Sequence, residues 1–151
     1  MEIEEFDIEK VEALDYDYIK KQLCYIFKSD DDITNFIAFL ENVSRFVNLS
    51  NDKRHMTLIE LGYFKSQIQL FDKKIESLLA RKKNEQVRNA IKKAKDYGEK
   101  ITENMVTYYS ENNDVMNTLE DLHNLVFSWS TYMNDLYFMC SQTSKNLGSF
   151  N

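Results

Sequence analysis

The chain holds two histidines, His55 and His123, and two cysteines, Cys24 and Cys140, and its reactive chemistry must be sought around these four. Glu120 stands one helical turn ahead of His123, which is half of the carboxylate–histidine pattern of a di-iron helical bundle. That chemistry needs a matching second half. The other histidine offers only Asp52, three residues before His55 at a position that reads as a helix cap. His123 also falls beside an apolar ladder, where a histidine satisfied at a core edge is the common case, so no metal site is expected. A helical ribonuclease would need an arginine a turn or so ahead of a histidine. The corresponding positions are Asn48, Leu49 and Ser50 before His55, and Met116, Asn117 and Thr118 before His123. A cysteine nucleophile requires a nearby base and an electropositive setting that favours the thiolate, and neither cysteine has one in sequence. Three isolated glycines, Gly62, Gly98 and Gly148, build no phosphate-binding loop. The expectation is a protein that is not an enzyme, with no cofactor and no small-molecule substrate.

Charge is a stronger signal. The net charge of −6 conceals three blocks: residues 53–95 carry twelve Lys and Arg against four Asp and Glu, while residues 1–52 and 96–151 are both acidic. Within the basic block, Lys74, Arg81, Arg88 and Lys95 recur every seven residues, joined by Lys73, Lys82, Lys83, Lys92 and Lys93. On one continuous helix the heptad series makes a stripe about 32 Å long at 1.5 Å per residue; on a hairpin it gathers toward the turn. Lys74, Arg81, Lys82, Lys83, Arg88, Lys92 and Lys95 are the candidate partner-binding residues.

Three readings compete for this patch. A solvated helix face would pair Lys92 with Asp96 and Lys95 with Glu99, each pair giving about 0.2–0.5 kcal/mol. A protein contact would set it against an acidic surface, on a partner or on residues 1–17 of a second copy in a structural homo-oligomer. Nucleic acid ranks third, because phosphate neutralisation suits clustered Lys and Arg, but the chain is acidic overall and no aromatic lies between Arg81 and Lys95 to stack bases.

The elements that position these residues follow from apolar spacing. From Val87 to Leu136 a ladder advances by alternating steps of four and three residues, through Ile91, Ala94, Gly98, Ile101, Met105, Tyr108, Asn112, Val115, Leu119, Leu122, Val126, Trp129 and Met133, with Cys140 one step beyond. A second ladder, Leu61, Phe64, Ile68, Phe71, Ile75 and Leu78, precedes it. Such spacing lays one residue per turn on a single helix face. With no proline, nothing forbids long helices. The spacing predicts an all-α antiparallel bundle of four to five helices in a single domain, residues 1–151. Shorter helices over about 15–28 and 33–49 precede three long ones at about 52–82, 84–110 and 114–144. Residues 1–14 read as a short helix after Asp7 or a loosely docked acidic arm, and 145–151 as a frayed tail.

The boundary near residue 83 rests on a slip of ladder phase after Leu78, which a hairpin turn or a stutter in one long helix both explain. The hairpin is preferred because a helix of about 60 residues is unusual in so short a chain. It would set Leu78 near Val87, Ile75 near Ile91 and Leu61 near Met105. A second turn at 112 would lay Trp129 and its bulky neighbours on the small residues Ala90, Ala94 and Gly98. The last helix has the widest apolar face, adding Met116, Leu125, Tyr132, Tyr137 and Met139, and is expected to be central.

The acidic N-terminus and the absence of any long apolar run argue against a signal peptide or membrane span. Two cysteines inside helical patterns suggest no disulfide framework. The expected location is the cytoplasm. Phe, Tyr, Met, Ile, Asn and Lys supply 65 of 151 residues, and Gly, Ala, Arg and Pro only 12, the bias of AT-rich coding. The functional expectation is therefore an adaptor, chaperone or inhibitor of a protein complex, such as a phage, virus or mobile element would encode.

Overall fold

The computed structural model describes residues 3–96 and 114–148, and these form an all-α bundle without strands. The helices are α1 (Ile8–Glu12), α2 (Tyr16–Leu23), α3 (Asp30–Ser44), α4 (Asn51–Asp96) and α5 (Asp114–Gly148), with a 3-10 turn at Phe46–Asn48. Side-chain caps start the short helices. Asp7 accepts from the Glu9 N–H, Asp15 from Tyr18 and Ser29 from Asp32, each satisfying an amide that has no partner within its helix. Ser50 Oγ does the same for Lys53, so the fourth helix starts at Asn51, within a residue of its expected start.

The hairpin expected at residue 83 is not there. α4 runs unbroken through Arg81-Lys82-Lys83-Asn84-Glu85 to Asp96, so Leu78 and Val87 lie about 13 Å apart along one axis, and Ile75 and Ile91 about 24 Å. The stretch contains neither Gly nor Pro and is rich in residues of high helix propensity, while Lys82 Nζ lies 3.5 Å from Glu85 Oε2 one turn on. A loss of apolar phase marks where core packing changes; it does not stop a helix. The expected helix over 84–110 thus begins as the second half of α4. Its later ladder positions, from Gly98 to Asn112, and the Leu61–Met105 pairing fall outside the described residues.

α4 and α5 are antiparallel. Lys65 Nζ sits 4.8 Å above the Tyr137 ring, Gln69 Nε2 donates to Asn134 Oδ1 at 3.3 Å, and Asp72 meets His123 further along. The remaining helices pack on this pair. α5 meets α4 along this seam and carries Trp129 into the N-terminal layer. The packing expected of Trp129 differs, however. Its ring meets Phe6 at 5.1 Å, Phe36 at 5.8 Å and Tyr132 at 6.0 Å between centroids, rather than a small-residue face near Ala90. Phe36 in turn meets Phe27, Phe39 and Phe64. Edge-on aromatic pairs of this kind add about 0.5–1.5 kcal/mol each beyond their burial.

The acidic N-terminal segment is both a short helix and a docked arm. Tyr18 Oη donates to the Glu5 carbonyl and accepts from the Asp7 N–H, both at 2.6 Å. Gln22, almost fully buried, donates to the Glu4 carbonyl at 2.7 Å and accepts from Trp129 Nε1 at 3.2 Å. Val11 seals the contact. α1 ends in a Schellman turn: Asp15 N–H reaches the Lys10 carbonyl and Leu14 N–H that of Val11, with Leu14 at φ 55°.

Two smaller expectations shift. α3 ends at Ser44, short of the expected end near 49, and the 3-10 turn alters the phase, so Phe46 is buried and Val47 is exposed. Arg54 lies buried beneath this turn, donating to the Val47 and Leu49 carbonyls and to Asn51 Oδ1. α5 continues to Gly148, so residues 145–148 belong to the helix rather than to a tail. Val115, on the expected ladder, is exposed, while Met116 beside it is buried.

Candidate functional site

Continuity of α4 decides how the basic residues are arranged. At 100° per residue, Lys74, Arg81, Arg88, Lys92 and Lys95 fall within a sector about 60° wide, and each is exposed. The core residues Leu61, Ile68, Ile75 and Ala90 point to the opposite side of the same helix. The basic residues therefore form an outward stripe instead of a cluster at a turn. Lys82 and Lys83 do not join it: they are turned roughly 100° and 160° away, and Lys82 is the residue engaged with Glu85.

Among the described residues the ion pairs are Lys82–Glu85 and Asp72–His123. The Lys92–Asp96 pair expected of a solvated face is not made, and Lys95–Glu99 falls outside the described residues. Among the described residues, no carboxylate lies within ion-pair distance of Lys74, Arg81, Arg88 or Lys92.

The same face continues toward the start of α4 as an apolar strip that the core ladders did not reveal. Met56, Ile59, Tyr63 and Leu70 occupy the sector of Lys74 and Arg81, and each is more than half exposed. The signal lay in the sequence as a second phase of apolar residues, 56, 59, 63 and 70, running opposite to 57, 61, 64, 68 and 75. From Met56 to Lys95 the face is about 59 Å long. Its first half is apolar and its second half cationic.

The residues considered for chemistry are dispersed. His55, Asp52 and Glu120 are exposed and do not converge. Cys24 is exposed, its Sγ donating to the Lys21 carbonyl at 3.0 Å, and burial pushes the Cys140 thiol up, opposite to what a nucleophile needs. Cys140 borders a cleft of about 330 Å³ together with Leu14, Leu40, Phe46, Tyr132 and Leu136. Burial also holds the Tyr132 hydroxyl protonated, its pKa pushed up to about 12. His123 does find a carboxylate, but on α4: its Nδ1 lies 3.0 Å from Asp72 Oδ1. Nothing around Glu120 in the sequence pointed there.

Among the described residues no helix is long and apolar enough to cross a membrane. No family model, curated protein or solved structure matches this chain.

Proposed function

We propose that the protein is a non-enzymatic binding protein, an adaptor, chaperone or inhibitor, whose outward face of α4 receives a protein partner with an acidic and partly apolar surface. The observation that carries this reading is the shared face: exposed cations at Lys74, Arg81, Arg88 and Lys92, with no ion pair among the described residues, continue directly from exposed Met56, Ile59, Tyr63 and Leu70. A solvated helix face has no use for four large apolar side chains in register with its cations. Interfaces commonly place apolar and aromatic anchors beside charges that steer encounter and fix register.

The test compares capture of partners from native lysate by the wild-type chain, by an Arg81/Arg88/Lys92→Glu variant and by a Tyr63→Ser variant, with Lys83→Glu as the off-face control. The reading expects one set of proteins lost with both on-face variants, retained with Lys83→Glu and weakened by salt. Loss that follows Lys83→Glu equally would remove the stripe as the determinant. Capture that disappears on nuclease treatment would show nucleic acid as the ligand. A mass that doubles with concentration and falls with salt would show a second copy of the chain.

A further inference from the structure

We propose that Asp72, Glu76 and His123 form a binding site for one divalent transition-metal ion of the zinc class, which ties α4 to α5. Asp72 and Glu76 stand one turn apart on the same side of α4, and His123 faces them from α5; one ligand-type atom from each lies within 4.8 Å of the others. Asp72 is 9% exposed, and its Oδ1 and the His123 Nδ1 are both sealed from solvent. These two atoms are 3.0 Å apart and form the ion pair between α4 and α5, yet the contact falls outside hydrogen-bond geometry, and among the described residues neither atom has another partner.

A buried polar atom left short of hydrogen bonds costs about 1–3 kcal/mol, and here two buried atoms have only each other, at a separation without hydrogen-bond geometry. A cation between them satisfies both. Zinc bonds to imidazole nitrogen and carboxylate oxygen are about 2.0–2.2 Å, which places adjacent tetrahedral ligand atoms about 3.4 Å apart, a few tenths more than the present separation. Rotation of the Asp72 carboxylate supplies that difference. Glu76 is exposed and can swing onto the ion from the solvent side, where water completes the coordination.

Electrostatics agree. Desolvation raises the Asp72 carboxyl above its usual range, His123 opposes that rise and Glu76 adds to it. A dication neutralises both carboxylates at once. One nitrogen and two carboxylate oxygens suit zinc or a neighbouring first-row ion better than an all-oxygen cation such as calcium. The competing occupant is a proton, which would make Asp72 and His123 a simple ion pair.

The experiment titrates the full chain, carrying Cys24→Ser to remove the exposed thiol, with Zn2+ against a coloured chelator, and follows thermal unfolding in parallel. One equivalent of ion is expected to bind and raise the melting temperature. Glu76→Gln, at an exposed position, should weaken binding at least about tenfold, and His123→Gln should abolish both binding and the thermal shift. Absence of saturable one-equivalent binding, or binding that survives both variants, would overturn the site. Asp72–His123 would then be a simple ion pair, seen as His123 ring NMR signals that are unchanged by Zn2+.

Discussion

The two halves of α4 obey different rules. Between Thr57 and Ile75 one side of the helix sinks Leu61, Phe64 and Ile68 into the aromatic core around Phe36 and Trp129. Beyond Ile75 on this helix the one buried side chain among the described ones is Ala90, with Leu78, Leu79, Val87 and Ile91 half-buried on the way. The first half is helical because the core requires it, and the second because its Arg, Lys, Glu, Gln and Ala residues favour helix. One backbone joins them, so the distal half is free to specialise in charge while the proximal half supplies the fold.

Removing the centre of the core should have the largest effect. Trp129→Ala is expected to cost about 3–5 kcal/mol in urea unfolding, and a value under 1 kcal/mol would mean that the N-terminal layer does not depend on this ring. Lys83→Pro tests the continuity of α4. It should cost about 3 kcal/mol and lower helical circular dichroism, whereas a turn at that position would accept proline at almost no cost. Gln22→Ala should cost about 2 kcal/mol by orphaning the Trp129 indole N–H and the Glu4 carbonyl. It should also speed amide exchange at Asp7, an effect absent if the arm were held by apolar contact alone.

Asp72→Asn acts at the seam between the halves. The fold raises the Asp72 pKa above 3.8, so the folded state holds a proton more tightly than the unfolded chain. Stability from this group is therefore present below the unfolded value and is lost as pH rises through the raised folded one. Without added ion, Asn should remove that acid-range slope; an unchanged slope would show that Asp72 is not its source. The smallest stability effect belongs to Arg81/Arg88/Lys92→Glu, within about 0.5 kcal/mol by denaturation. A larger loss would mean that these cations serve the fold rather than a partner.

Much of the fold was readable from spacing. Leu61, Phe64, Ile68 and Ile75, and again Val126, Trp129, Met133, Leu136 and Cys140, are buried where the ladders put them. Periodicity reports which side of a helix is apolar, and it is silent on whether a helix bends back. That is why the slip after Leu78 was read as a turn. Contacts between distant positions left no trace either. Gln22 and Trp129, or Asp72 and His123, are joined only by the way the helices cross, and no local pattern encodes that crossing. The outward stripe of α4 was half legible: its heptad of cations was visible, but its apolar continuation was hidden among residues that any core could have claimed.

An unbroken α4 also behaves as a lever. Lys95 lies about 35 Å along the axis from the level of Asp72, so a tilt of roughly ten degrees at that level sweeps the tip through about 6 Å. Adjustments too slight to disturb the packing at the seam become displacements the size of a side chain at the far end.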